Sequence, residues 1–198
     1  QSDPRMDAIV EGKITGQLFS TYIILEYGEG MYIIDQHAAH ERIMYEEIKN
    51  SINNDIDISQ SLLEPIVIEL SAGELELAVE KNTHLRKLGY ITEVFGNNSI
   101  IIRSVPYSTE KDNLKNVFME ILDTMPEDGE VSDKYEQAIY KLACSKAVKA
   151  KNKLGYEEIK GLLKQLSQAQ YPFTCPHGRP VIISIDKGEL ERRFKRKV

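Results

Sequence analysis

The sequence predicts an α/β (α+β) chain of two lobes. In the first lobe, strand-like segments with alternating apolar residues run directly into an amphipathic helix, and the apolar period changes at Asp35 and Gln36. A second run of strands and helices follows and ends in TMPEDGEVSD, an acidic loop with Pro and Gly. The chain has 198 residues, 41% of them hydrophobic, which is enough to bury a core in each lobe.

The first lobe is expected to open with a hairpin. The segments TYIILEY and MYIID flank a turn at Gly28–Gly30, and EGKITGQLFS precedes them as a further strand. Residues 37–52 then carry apolar side chains at helical spacing. The opening QSDPRMD has no apolar period and contains a proline, so we interpret residues 1–7 as a tag or linker remnant outside the fold.

An inserted second lobe of β-α-β-β-α order is predicted at 69–131. Its first strand is PIVIEL, and Ser71 and Glu74 have the capping-box spacing of a helix that ends near Gly89. The strands YITEVF and SIIIRSV and the helix LKNVFMEIL complete it. A long helix over about 133–154 is expected to return the chain to the first lobe.

The first lobe therefore comprises 8–68 and 132–198. Its last part is predicted to contain the helix EEIKGLLKQLSQ, the loop YPFTCPHGRP, the strand VIISID and a final helix.

Charge and cysteine content limit the function classes. A formal charge of -6 argues against a surface that grips nucleic acid everywhere, although lysines cluster in 141–153 and the C-terminus reads RRFKRKV. Each patch alone is more often a solvated helix face or a charged tail. With two cysteines, no secretory signal and no apolar run that could cross a bilayer, the expected location is the cytoplasm.

Histidine, cysteine and acidic residues gather in three short segments. His37 and Glu41 share one face of the predicted helix, because they are four residues apart, and Asp35 stands just before it. Thiolate and imidazole favour zinc, whereas carboxylates suit magnesium or manganese, so a mixed set could hold two kinds of ion. The candidate ligands are Asp35, His37, Glu41, Cys144, Cys175 and His177.

Each of these residues has a commoner explanation when taken singly. A histidine on a helix is usually at the surface or satisfied in the core, and a helical cysteine is usually a small buried hydrophobe. The two cysteines could also form a disulfide, which the cytoplasmic expectation disfavours. The order HAAHE at 37–41 is not a zinc-protease signature. Together the three segments favour a metal site, and phosphodiester hydrolysis becomes plausible.

The three segments resemble the motifs of the MutL family of DNA mismatch repair proteins. DQHAAHERIMYE at 35–46 resembles the endonuclease signature D-Q-H-A-x2-E-x4-E, and CPHGRP at 175–180 resembles the family's third motif. ACSKAVKA, which starts at Ala143, resembles the second motif, but Ser145 and Lys146 stand where many members have an arginine directly after the cysteine.

The resemblance implies an endonuclease that nicks one strand of duplex DNA, using manganese together with zinc. It makes Asp35 the essential acid of the site, with Glu41 also catalytic, and makes the candidate ligands metal-binding. Glu46 lies five residues after Glu41 and round the helix, so it is expected to support the ligands. Arg179 is a candidate phosphate contact or a loop anchor. Lys146, Lys149 and Arg179 are the tentative DNA-binding residues.

QSLLEP at 60–65 resembles the family's sliding-clamp-binding peptide, Q-x-x-L-x-P. Gln60, Leu63 and Pro65 are the expected clamp-binding residues, since a glutamine and a leucine on an extended strip can enter a polar cleft and an apolar pocket. The alternative is an ordinary strand start with a buried leucine.

The expected partners are a second copy bound through the sheet lobe, duplex DNA, the sliding clamp and, through the full-length protein, the mismatch recognition protein MutS. ATP is not expected to bind, because the family's ATPase lies in an N-terminal domain and no P-loop occurs here. One rival function is a non-catalytic dimerisation and clamp-tethering module with a structural zinc site. Another is an unrelated zinc hydrolase of small molecules.

Overall fold

The computed structural model describes residues 3–107, 109, 114–125, 133–147 and 153–196, and within 133–147 the side chains of 135–144. These residues form eight helices and two antiparallel sheets, which confirms the α+β fold class. The chain divides into two compact units: unit 1 is Gln1–Glu46 with Ala147–Val198, and unit 2 is Glu47–Lys146.

Unit 1 contains a four-stranded sheet in the order β1-β2-β3-β7, formed by Lys13–Leu18, Tyr22–Tyr27, Gly30–Asp35 and Ile182–Asp186. The predicted hairpin is confirmed: β2 and β3 pair from Tyr22↔Asp35 to Tyr27↔Gly30. Gly28 adopts a φ of 57° in the turn, a conformation that glycine reaches without steric strain.

Helices cover one face of the unit 1 sheet. They are α1 (Pro4–Glu11), the first part of α2 (Gln36–Asn53) and α7 (Tyr156–Gln168). The last helix of the unit, α8 (Lys187–Arg193), follows β7 directly and contributes no residue to this core. Alternate strand residues, including Ile23, Leu25, Ile34 and Ile182, enter one core with the apolar side chains of α1, α2 and α7. The sheet and these helices together fix where α2 begins.

The other face of the sheet is also apolar. Tyr22, Ile24, Ile33 and Ile183 alternate with the core residues and therefore point away from them. Ile183 pairs with Ile33 and is 49% exposed. A sheet face left to solvent would carry polar residues, so this outer face has the composition of a contact surface.

Unit 2 contains a three-stranded sheet in the order β4-β6-β5, formed by Ser59–Glu69, Ser99–Pro106 and Ile91–Val94. Its helices are α3 (Ala72–Glu80), α4 (Asn82–Lys87), α5 (Leu114–Asp123) and α6 (Asp133–Ala147), with the rest of α2. Its core includes Tyr90, whose ring meets Phe118 edge-on at 5.4 Å between centroids. The predicted capping box of Ser71 and Glu74 is confirmed.

The unit boundaries differ from the predicted lobes of 8–68 with 132–198 and 69–131. Residues of β4 hydrogen-bond to β6 from Ser59↔Pro106 to Glu69↔Ser99, which places 59–68 in the sheet of unit 2. Helix α6 also belongs to unit 2. The predicted helix over 72–89 is two helices, α3 and α4, which meet at Lys81.

The expectation that residues 1–7 lie outside the fold is corrected. Asp3 accepts a hydrogen bond from the backbone of Arg5 and caps α1, which has Pro4 at its first turn. Ala8 and Ile9 are fully buried in the unit 1 core. The helix was missed because so short a segment has only two core-facing residues.

We expect Ile9→Ala to lower the free energy of unfolding by about 2 to 5 kcal/mol, because a buried isoleucine leaves a cavity. Val10 is the matched control: it is 63% exposed on the same helix, and Val10→Ala should change stability by less than about 0.5 kcal/mol. Chemical denaturation measures both. Equal stabilities of the two variants would contradict the packing of α1.

Candidate metal centre

The sequence Asp-Gln-His-Ala marks the junction where β3 becomes α2. Asp35 Oδ1 accepts hydrogen bonds from the backbone N–H groups of His37 at 2.9 Å and Ala38 at 3.1 Å, so Asp35 caps the helix. Its own backbone N–H donates to the carbonyl of Val181 at 2.9 Å. The carboxylate is therefore held at the end of the strand.

Gln36 fixes the junction from the other side. It is completely buried, and its side-chain oxygen accepts a hydrogen bond from the Gln17 amide of β1. The Gln17 oxygen in turn accepts from the backbone N–H of Leu154 at 3.1 Å. Ala38 and Ala39 are buried, and their small side chains bring the first turn of α2 onto the core.

Glu41 is the centre of a charged cluster. Its side chain is 3% exposed, and His37 Nε2 lies 3.0 Å from its Oε1. On the other oxygen, Oε2, Arg179 Nη2 lies at 2.8 Å and His177 Nδ1 at 3.6 Å. The structure thus brings the third motif against the first, although they are more than 130 residues apart in the chain.

The third motif is a closed loop. Thr174 pairs with Pro180 in an isolated bridge, and the Cys175 N–H donates to the Arg179 carbonyl at 2.8 Å. The Gly178 N–H donates to the Cys175 carbonyl at 2.9 Å, and Gly178 adopts a φ of 80°. A side chain would be strained at that φ, so glycine allows the turn that presents His177.

Cys175 is buried and in contact with Arg179. A hydrogen bond to Cys175, followed by the charge of Glu41, raises the pKa of the Arg179 guanidinium above its usual value. Arg179 therefore joins the thiol and the carboxylate as a permanent cation. On the same helix as Glu41, burial lowers the pKa of His40, whose Nδ1 lies 2.9 Å from the Gln36 carbonyl.

The donors in unit 1 fit a divalent ion. His37 and His177 offer imidazole nitrogens 3.0 and 3.6 Å from the oxygens of the Glu41 carboxylate, and Cys175 offers a buried sulfur in the same loop as His177. Nitrogen, oxygen and sulfur donors suit zinc, and a buried carboxylate is stabilised by a cation. The cluster is a possible metal-binding group.

Cys144, Lys146 and Lys149 complete the set of residues predicted to bind metal or DNA. Cys144 is on α6 in unit 2 and is partly buried, and no disulfide forms among the described residues. The side chain of Lys146 and the whole of Lys149 fall outside the part of the chain that the structure describes.

Two further residues support the third motif. Glu46 accepts hydrogen bonds from the backbone N–H groups of Gln170 at 2.6 Å and Tyr171 at 3.0 Å. Arg42, which the sequence analysis did not single out, donates from Nε to the Thr174 carbonyl at 2.6 Å. Its spacing from Glu46, four residues along a helix, was the only signal in the sequence.

The family model described as the MutL C-terminal dimerisation domain matches residues 15–154. The chain belongs to this family. No helix in the described ranges is both long and apolar enough to pass through a membrane.

Curated relatives named DNA mismatch repair protein MutL cover nearly all of the chain. The chain is 43% identical over 198 residues to that of Caldanaerobacter subterraneus subsp. tengcongensis, which covers 98% of this chain and 33% of the relative. It is 45% identical over 186 residues to that of Clostridium tetani, and 46% identical over 187 residues to that of Thermoanaerobacter pseudethanolicus, with 93% of this chain and 30% of each relative covered. The chain thus spans about a third of the length of these relatives.

Proposed function

We propose that this MutL-family chain is a metal-dependent endonuclease domain that nicks one strand of duplex DNA. The observation that carries the proposal is the buried Glu41 carboxylate with His37 and His177 on either side. These residues come from the two motifs that resemble the family's nuclease signature. Asp35 adds a second acid at the end of the preceding strand. A structural zinc site would not require this second acid in addition to the buried Glu41.

His37, Glu41, Cys175 and His177 would hold the ion, with Cys144 as a further ligand proposed from the second motif. A bound zinc or manganese ion would supply Lewis-acid activation and neutralise charge at the phosphodiester. Arg179 lies at the exposed side of the cluster, with 56% of its side chain accessible, and is placed to meet a phosphate through its planar fork.

Asp35 has two roles in this proposal. Its Oδ1 caps α2, and its negative charge lies at the start of the helix that carries His37 and Glu41. A capping role alone would be met by any short polar side chain that accepts a hydrogen bond. The charge distinguishes an acid of the reaction from a helix cap.

We expect Asp35→Asn to reduce nicking of supercoiled plasmid in manganese by about 100-fold or more, since a positioned acid or base contributes at least this much. Asparagine keeps the cap, so stability should remain within about 0.5 kcal/mol of the wild type. Asp35→Ala is the control: it should also lose about 1 kcal/mol of stability. Nicking by the Asn variant at the wild-type rate would favour the non-catalytic dimerisation and clamp-tethering module.

The segment Gln60–Pro65 is proposed as the site of the sliding clamp. It lies on β4, which pairs with β6 but is an edge strand of the unit 2 sheet. The register shifts between Ser61↔Ser104 and Ile66↔Ile102, so residues 62–65 stand opposite Arg103 alone. The segment therefore bulges from the sheet. Pro65 is tolerated in the bulge because it has no N–H to donate to a neighbouring strand.

Leu63 at the tip of this bulge is 96% exposed. The alternative of an ordinary strand start with a buried leucine therefore does not hold for Leu63. An exposed leucine beside an exposed glutamine is available to a partner's apolar pocket and polar cleft.

We expect Gln60→Ala with Leu63→Ala to nick plasmid at the wild-type basal rate in manganese but to lose stimulation by the sliding clamp. The clamp would raise the effective concentration of the chain on DNA, and the double variant would lose this tether. Val67→Ala, at a 49% exposed position on the same strand beyond the bulge, is the matched control. Undiminished stimulation of the double variant would rule out this segment as the clamp site.

The outer face of the unit 1 sheet is proposed as the homodimer interface. The description of the family names dimerisation, and this face presents the contiguous apolar residues that a second copy could cover. In a two-fold dimer the same face is used by both copies, so one substitution acts twice.

We expect Ile183→Asp to weaken dimerisation by at least about tenfold, because each copy would place a charge in an apolar contact. Ser184→Asp is the matched control, since Ser184 is exposed on the other side of β7. Sedimentation over a range of concentrations measures the dissociation constant. A dimer of Ile183→Asp as tight as that of the wild type would place the interface elsewhere.

A further inference from the structure

The side chains of Arg42 and Glu46 are both charged and both nearly buried. They are 8% and 14% exposed and lie one turn apart on α2, with Arg42 Nη1 3.5 Å from Glu46 Oε1. That contact is long for a hydrogen bond, so the pair is satisfied mainly by other groups. Buried charges persist where their hydrogen bonds are made, and these are made to the backbone that leads into the third motif.

Glu46 holds the chain where it leaves α7. Its two carboxylate oxygens accept from the consecutive backbone N–H groups of Gln170 and Tyr171, at 2.6 and 3.0 Å. A carboxylate on successive N–H groups fixes the direction of the chain as well as its position. Residues 169–171 are thereby held against the third turn of α2.

Arg42 holds the point at which the third motif begins. Its Nε donates to the Thr174 carbonyl at 2.6 Å, and its guanidinium lies 5.7 Å from the centre of the Tyr171 ring. Thr174 is also the residue that pairs with Pro180 and closes the loop. Holding Thr174 therefore sets the base from which Cys175 and His177 project.

We propose that Arg42 and Glu46 are positioning residues that set the geometry of the metal site while binding no ion themselves. Helix α2 carries His37, Glu41, Arg42 and Glu46 within its first three turns. One rigid element therefore holds half of the donors and aligns the loop that carries the others. The inference rests on the metal site of the proposed function. It goes beyond it by giving the last acid of the first motif, and the arginine four residues before it, a defined task.

The test is binding of Co²⁺ to the 198-residue chain, followed by absorption spectroscopy. Cobalt bound to a thiolate and to nitrogen donors gives ligand-field and charge-transfer bands that report the geometry and the sulfur ligand directly. We expect Glu46→Ala to raise the apparent Kd for Co²⁺ by about 10- to 100-fold and to alter the bands, since residues that orient ligands have effects of this size. Glu46→Gln, which keeps one acceptor oxygen, should have a smaller effect.

Ile9→Ala is the control for stability, because it weakens the same unit away from Glu46. If Arg42 and Glu46 position the ligands, Ile9→Ala should lower the melting temperature and leave the cobalt spectrum and Kd unchanged. Should Glu46→Ala fail to fold, Glu46→Gln and Arg42→Lys carry the test, since each keeps part of the contact.

The outcomes separate the two proposals. Wild-type binding with a Kd and bands that Glu46→Ala, Glu46→Gln and Arg42→Lys all retain within about twofold would overturn the positioning role and leave the metal site standing. No cobalt binding by the wild-type chain would overturn the metal site itself, and the positioning role with it.

Discussion

A buried carboxylate must be matched by cations or by hydrogen-bond donors, because an isolated anion is strongly destabilised out of water. Glu41 is such a group, and the first and third motifs are arranged around it. His37 reaches it from the same helix face, while His177 and Arg179 reach it from a loop far along the chain. The closed turn at Gly178 positions His177 and Arg179, and the cap at Asp35 positions the helix that carries His37 and Glu41.

Helix α2 is the element on which this arrangement depends. Its start is fixed at three levels: Asp35 caps its first N–H groups, Gln36 is tied to β1, and Ala38 and Ala39 pack on the core. A helix fixed at its N-terminus projects later side chains in defined directions, one turn every 3.6 residues or so. This explains why residues from 35 to 46 in one short segment can cap the helix, offer metal donors and anchor the loop.

Much of the local structure could be predicted from the sequence, because it is encoded by neighbours in the chain. The β2–β3 hairpin, the change of period at Asp35 and the Ser71 cap all follow from residues within a few positions of each other. The short helix α1 could not be predicted, since its stability comes from the packing of Ala8 and Ile9 on distant strands. The break at Lys81 carries no glycine or proline signal.

The candidate site shows the same division. Spacing alone indicates that His37 and Glu41 share a helix face, and the proximity of His177 was expected from the spacing of the possible ligands together with the resemblance of two motifs. The bonds of Arg42 to Thr174 and of Glu46 to Gln170 join side chains to backbone more than 120 residues away. Every residue has the same backbone groups, so no sequence pattern marks the residue whose backbone accepts or donates these bonds. These contacts therefore cannot be predicted from a single sequence. The membership of β4 in unit 2 has a similar origin, because it follows from the pairing of β4 with β6, and neither strand alone reveals that pairing.

Solvent exposure increases from the centre of the cluster to its rim, and this gradient matters for how an acidic chain would approach DNA under the proposed function. Glu41 is 3% exposed, whereas the side chains of His37, His177 and Arg179 are 34%, 45% and 56% exposed. The carboxylate is thus innermost, and the imidazole and guanidinium side chains are outermost. Under the proposed function, Arg179 would attract a phosphodiester, and a divalent ion held by His37, Glu41 and His177 would supply further positive charge at the site. The chain has a formal charge of -6, so this attraction is local and should decrease as salt rises. Under the same proposal, a weak local site would need a second contact to stay on DNA, and a clamp bound at the exposed Leu63 bulge would supply it by effective concentration.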